Sequence, residues 1–203
     1  MDPRVERTRS AVMRAATDLV VEGGPGALTM DAVVLRSRVA KTTIYRHWKS
    51  RDDLLATVIE ASVPRLPEPE PDADVETSLR VVMRYSVNSL RDTEWSRLLP
   101  AFIMLSRHEA EIRAINERMD WQHNRVLAEL VQRAAAEGIV ESGIDVDEAI
   151  AHLQGPLMIA FLAGLMPIDD RIADSIVDRF LAAFGPSAAA KPRTPAAGPG
   201  GDA

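Results

Sequence analysis

Six cationic side chains, Arg36, Arg38, Lys41, Arg46, Lys49 and Arg51, fall within residues 36–51 without one carboxylate among them. Thr42, Thr43, Tyr45 and His47 are interleaved with them. Guanidinium and ammonium groups pair with phosphate oxygens, arginine also forks onto the O6 and N7 of guanine, and hydroxyls reach phosphates or base edges. A helix beginning near Lys41 puts Thr42, Tyr45 and Arg46 on one face, at i, i+3 and i+4, and turns Ile44 and Trp48 toward the other. The spacing predicts one face that reads and one that anchors. Thr42 and Tyr45 then suit bases or phosphates, Arg46 suits guanine, and His47, Lys49 and Arg51 suit phosphate oxygens.

Three further elements must hold that helix. A first helix is expected from about Val5 to Glu22, with Val12, Ala16, Leu19 and Val20 on its core face and Gly23 and Gly24 as left-handed stop positions. Thr29 caps a second helix that ends near Ser37, with Asp31 in its first turn, where a carboxylate suits the positive end of the helix dipole. The reading helix runs from about Lys41 to Trp48. Ser50 then opens a supporting helix, and Asp53 completes an S-x-x-D capping pattern ahead of Leu54, Leu55, Val58 and Ile59. The acids at 52 and 53 thus belong to the next helix start, which leaves the preceding stretch basic. Two short helices joined by a tight turn form a helix-turn-helix, whose second helix fits a major groove.

The chain averages conceal this polarity. Over 203 residues the formal charge is −6, which by itself discourages a nucleic-acid partner. Residues 1–63 nevertheless hold ten Lys or Arg against eight Asp or Glu, and the remainder fourteen against twenty-two. The absence of cysteine excludes disulfide scaffolds and thiolate chemistry. The N-terminal MDPRVERTRS has no apolar centre of a signal peptide, and the longest apolar run, 156–167, is too short to span a bilayer. A soluble cytoplasmic protein is expected.

Periodicity beyond residue 63 is helical throughout, so the fold class is all-α. The expected organisation is a DNA-binding head at 1–62, a proline-rich linker at 63–73, a second helical domain at 74–185, and a disordered tail at 186–203. Leu79, Val82, Met83, Ser86, Val87 and Leu90 mark one amphipathic helix, and Trp95, Leu98, Leu99, Phe102 and Ile103 another. A long helix near 109–137 follows, with a stripe of Ile112, Ile115, Met119, Val126, Leu130 and Ala134, stopped by Gly138. Asp145 or Asp147 caps a helix whose second half, PLMIAFLAGLMP, is apolar on every side and calls for cover from a second subunit; Asp169 starts the last.

The residues from Leu28 to Leu55, LTMDAVVLRSRVAKTTIYRHWKSRDDLL, resemble the tetracycline-repressor (TetR) family of bacterial transcription regulators. That family's T-x-Y-x-H/Y-F-x-[ST/N]-K-x-x-L segment is matched by Thr43, Tyr45, His47, Trp48, Lys49, Ser50, Arg51 and Leu54, and the likeness spans roughly residues 5–60. It implies a three-helix DNA-binding domain with a helix-turn-helix, followed by a helical domain that dimerises and holds a small-molecule pocket. It aligns Lys41, Thr42, Tyr45 and Arg46 with base-facing positions, and Thr29, Thr43, His47, Lys49 and Arg51 with phosphate-facing ones. The turn departs from the family's A-G-V-S by reading Ser37, Arg38, Val39, Ala40. A left-handed arginine there costs about 1–2 kcal/mol, and a missing cap at Ala40 about 1 kcal/mol.

Trp95, Phe102, Met104, Trp121, Met158 and Phe161 are candidates to line an apolar ligand cavity, although aromatics and methionines at helical spacing serve equally as plain core. His108, His123 and His152 lack a metal-ligand spacing, and no nucleophile elbow or phosphate-binding glycine loop occurs. No enzyme, metal or cofactor is expected. The reading is a homodimeric regulator, a repressor released from a near-palindromic double-stranded operator by a small apolar effector. Two alternatives stand beside it: a DNA-binding dimer that senses nothing, and a helical protein-interaction module.

Overall fold

The computed structural model describes residues 3–91, 93–106 and 110–186. Among them nine α-helices occur and no strand. The head comprises α1 (Pro3–Gly23), a short 3-10 turn at Pro25–Ala27, α2 (Met30–Ser37), α3 (Lys41–His47) and α4 (Arg51–Ser62). Its core is a set of aliphatic side chains, Val12, Ala16, Val33, Ile44, Leu54 and Val58, joined by the indole of Trp48. Of the two glycines expected to stop α1, only Gly24 is left-handed, at φ 73°. Gly23 is the last helical residue, and its value is steric, because a Cβ there would stand 2.6 Å from the Ala27 methyl. The chain turns so tightly that the methyl occupies the space a side chain would need.

The body contains α5 (Val75–Ser89), α6 (Glu94–Ser106), α7 (Ala110–Ala136), α8 (Val146–Ala163) and α9 (Asp170–Phe184). The expected apolar positions of α5, from Leu79 to Leu90, are all buried. At 27 residues, α7 extends about 40 Å, given 1.5 Å per residue. Val126, Leu130 and Ala134 of its stripe are buried, while the side chains of Ile112, Ile115 and Met119 lie outside the described residues. Gly138 follows with φ 72°.

Head and body share one apolar core, since α1 and α4 pack on α6 and α4 also packs on α7. The proline-rich stretch 63–73 is non-helical, as expected, but it is not a free tether. Leu66 is buried, Arg125 of α7 pairs with Glu68, and the Arg133 guanidinium donates to the Ala73 carbonyl at 2.7 Å. α7 thus contacts α4 directly and also holds the strap that follows α4.

Asp145 caps α8 by accepting from the Glu148 amide at 3.0 Å. The helix stops at Ala163, because Gly164 turns left-handed at φ 60°, so the apolar run 156–167 is helical only in its first eight residues. Nor is it enclosed on every side within the chain. Leu153, Leu157 and Ala160 face the core, whereas Ile159, Leu162, Leu165 and Met166 face outward at 45–66% exposure. Asp169 caps α9, which is tied to α5 by charge: Arg84 grips Asp174 through two nitrogens at 3.0 and 2.8 Å, and Arg80 bonds Asp178 and Glu76 at 2.6 Å each. No helix of the described residues is long and apolar enough to cross a membrane. The expected disordered tail falls, from residue 187 on, outside the described residues.

Candidate nucleic-acid interface

The reading helix is positioned from both ends. Ahead of it, the Thr29 hydroxyl oxygen accepts from the Ala32 amide at 3.1 Å and fixes the start of α2. At the far end of α2 the Arg38 amide donates to the Val34 carbonyl at 3.0 Å, and Arg38 adopts φ 57°, ψ 24°. It is the one non-glycine residue of positive φ among the described residues. The arginine thus takes the left-handed turn where the TetR pattern has glycine, with its side chain exposed to water. Ala40 supplies no side-chain cap to α3.

On α3 the two faces separate as the spacing predicts. Ile44 is fully buried and Trp48, at the C-terminal boundary, is 3% exposed. Lys41, Thr42, Tyr45, Arg46 and His47 are exposed, and Thr43 is half-buried at the edge. The indole also has a polar anchor, its Nε1–H donating to the Thr57 hydroxyl at 3.1 Å, with the Arg9 guanidinium 5.8 Å from the ring centre. That hydrogen bond gives tryptophan a use where phenylalanine is usual. Tyr45 carries the Lys41 ammonium 5.8 Å from its ring centre, and the same ammonium donates to Asp31 at 2.7 Å. The Asp31 carboxylate holds the Lys41 ammonium above its ordinary pKa, so Lys41 stays cationic. Arg36 pairs with Glu22 at 2.7 Å, an exposed link from α2 to α1 that pulls the Glu22 carboxyl below its usual range.

Behind α3, the Ser50 hydroxyl oxygen accepts from the Asp53 amide at 3.0 Å. The Asp53 carboxylate reaches back to the Lys49 amide at 2.9 Å, one residue earlier than a standard capping box. Lys49 remains exposed. Arg51 is placed differently from its neighbours. Its Nε donates to the Leu28 carbonyl at 3.1 Å, one terminal nitrogen to the Pro25 carbonyl at 3.0 Å, and the other to the Asp52 carboxylate at 2.7 Å. Sequence spacing suggested an outward phosphate ligand; the guanidinium is instead turned onto backbone of the α1–α2 connection.

Lys41, Thr42, Tyr45, Arg46, His47 and Lys49 are thus polar or cationic and exposed along α3 and the turn after it, with Asp31 the acid paired to Lys41. Such a surface is suited to a nucleic-acid backbone and groove.

Five of the six candidate ligand residues have described side chains. Trp95 and Phe102 pack together, with ring centres 5.8 Å apart, and Phe102 is buried. Met158 and Phe161 are half-buried on α8 against the core. Met104 is 51% exposed, so its outward setting on α6 corrects the expectation of an interior lining. The side chain of Trp121 lies outside the described residues, as do those of His108 and His123. A cleft of about 580 Å³ opens between α8 and α9, lined by His152, Pro156, Ile172, Ile176, Arg179 and Phe184 among others, and by none of the five candidates whose side chains are described. Sequence spacing gave no sign of it, because its walls come from two helices and the loop between them. No group of three or more His, Cys, Asp or Glu suited to a metal occurs among the described residues.

The fold and this surface define a helix-turn-helix DNA-binding protein with a helical C-terminal body. The family of bacterial regulatory proteins of the tetR type matches residues 12–58, and the tetracyclin repressor-like C-terminal domain matches residues 69–180. The chain belongs to the TetR family of DNA-binding transcriptional regulators. It is 26% identical over 187 residues to the DNA-binding transcriptional repressor TetR of Mycobacteroides abscessus, covering 89% of this chain and 95% of that one. It is 24% identical over 183 residues to the HTH-type transcriptional regulator YdeS of Bacillus subtilis, covering 88% and 90% respectively. A TetR transcriptional regulator from Agrobacterium tumefaciens has the same fold, with a TM-score of 0.70 at 22% identity over 88% of this chain and 94% of that chain. Members of this family regulate transcription and are not enzymes.

Proposed function

We propose that the chain acts in the cytoplasm as a homodimeric repressor whose two α3 helices enter successive major grooves of a near-palindromic operator. The observation that carries this reading is the division of α3, with Ile44 and Trp48 buried while Thr42, Tyr45 and Arg46 project as one exposed edge. Lys41, Thr42, Tyr45 and Arg46 face bases. Thr29, Thr43, His47 and Lys49 face phosphates, where they set register without reading sequence. Two-fold symmetry of the protein is matched by two-fold symmetry of the site. Support for the dimer comes from the outward Ile159, Leu162, Leu165 and Met166, an apolar surface of α8 and the following loop that a second copy would remove from water.

Release follows from a small apolar ligand that binds the body and favours the state in which the two heads no longer match the operator; without different affinity for the two states it would shift nothing. The contacts of α4 with α6 and α7 give the body a direct hold on the head. Two measurements test the proposal. Duplexes selected from a randomised pool should converge on a near-palindrome bound by a dimer, and binding of a single asymmetric half-site by a monomer would contradict it. Apolar metabolites screened by thermal melting should include one that raises the melting temperature and weakens operator binding together. A ligand that stabilises without affecting DNA would remove the release mechanism.

A further inference from the structure

Arg51 binds two backbone carbonyls and a carboxylate at once. Its guanidinium joins two connections far apart in sequence, since residue 51 opens α4 while its acceptors, the carbonyls of Pro25 and Leu28, lie in the α1–α2 connection. The third partner, Asp52, fixes the rotation of the planar group at 2.7 Å, and the side chain is 28% exposed. Leu28 is buried, and the next residue, Thr29, caps α2. On the other side, Lys49 precedes Arg51 by two residues, and its amide is held by Asp53. Each connection therefore carries a proposed phosphate-facing residue, Thr29 on one and Lys49 on the other, with the reading helix between.

We infer that Arg51 is a positioning residue for DNA recognition: it sets the spacing between the Thr29 and Lys49 connections through backbone carbonyls, rather than by touching phosphate. This rests on the DNA-contact roles proposed above. A planar fork suits the task, because one guanidinium directs separate N–H groups at two carbonyls and a carboxylate, whereas a lysine ammonium is a single point on a flexible stem. The inference separates the function of Arg51 from that of Lys49, although both are basic residues of the same motif.

The test is a salt titration of operator binding by the full-length protein and by Arg51→Lys, with a cycle against Thr29→Ala. Arg51→Lys keeps the charge, so the expected result is roughly tenfold weaker operator binding with an unchanged slope of log K against log salt. Because the clamp acts through the Thr29 connection, Arg51→Lys combined with Thr29→Ala should lose clearly less than the product of the two single losses. The same titration with Arg51→Gln, which removes the cation, reads phosphate contact directly: a slope shallower by about 2 for the dimer, the value for one lost phosphate contact per protomer, would overturn the inference, as would strictly multiplicative losses or unaltered affinity for Arg51→Lys. If Arg51→Lys does not fold, amide exchange on the unaltered protein decides. The Leu28 and Ala32 amides, which donate to the Pro25 carbonyl and the Thr29 hydroxyl, should be protected without DNA; protection appearing only on DNA would overturn the clamp. Failure of the unaltered protein to prefer any operator would instead sink the DNA-contact roles, which is a distinguishable outcome.

Discussion

Replacing Arg38 with glycine should stabilise the protein, and comparison with alanine isolates the cause. Arg38 holds φ 57°, ψ 24° at the end of α2, with its amide committed to the Val34 carbonyl. A side chain with a Cβ in that region costs roughly 1–2 kcal/mol, which glycine avoids. Glycine gives back about 0.5–1 kcal/mol through the greater freedom of its unfolded chain. Alanine retains the left-handed penalty. Both substitutions remove the same cation and the same exposed side chain, so solvation and charge cancel in the comparison. The net difference is about 1 kcal/mol in favour of Arg38→Gly, or about 2–4 °C in melting temperature for a chain of this size. Thermal unfolding followed by circular dichroism reads it directly. Operator affinity should change equally in the two variants, because each loses the same positive charge. Equal melting temperatures, or a higher value for Arg38→Ala, would refute the argument that the turn stores backbone strain.

Other expectations follow from the same geometry. Arg46→Ala should cost on the order of 1–3 kcal/mol on the operator while relaxing preference at one base pair, whereas Lys49→Ala should weaken operator and random DNA alike and lower the salt slope by about 1 per contact. Binding to both duplexes across a salt series would separate them, and indistinguishable profiles would contradict the division of roles. The Asp174 carboxyl is held below its usual range chiefly by the hydrogen bonds from Arg84. A depressed carboxylate contributes stability above its unfolded value of about 3.9 and loses it as pH falls through the folded value. The melting-temperature gap between the unaltered protein and Asp174→Asn should therefore be present at pH 7 and close below about pH 4; a gap independent of pH would contradict the assignment. Leu162→Asp places a charge on the outward apolar face of α8 and should shift the protein toward monomer in sedimentation at micromolar concentration. A dimer of unchanged strength would locate the interface elsewhere.

What could be foreseen from the sequence was largely local. Thr29, Ser50 and Asp169 each cap within two or three residues, so spacing alone identifies them, whereas at α8 it left Asp145 and Asp147 equally open and the structure selects Asp145. The two faces of α3 and the buried row of α5 follow from periodicity. The features that escaped are those that depend on distant partners. Arg51 meets acceptors 23 and 26 positions earlier, and nothing near it in sequence distinguishes a clamp from a phosphate ligand. Leu66 is buried within a proline-rich stretch whose Glu68 and Ala73 are held by Arg125 and Arg133 of α7, and Gly23 is constrained by the Ala27 methyl rather than by its own backbone angle. Apolar composition also misled. The run 156–167 reads as one continuous helix until Gly164 ends it, and Met104 is apolar yet faces water. The ligand candidates were inferred from residue type, which does not fix where side chains converge.

The most direct test of the account is a salt titration of binding to an operator selected from a randomised duplex pool, with unrelated duplex of equal length as control. With about six phosphates neutralised per dimer, log K should fall against log salt with a slope of roughly −5, and the selected duplex should be preferred at every salt concentration. Equal affinity for both duplexes, or a slope near zero, would contradict a sequence-reading α3 flanked by phosphate-gripping loops.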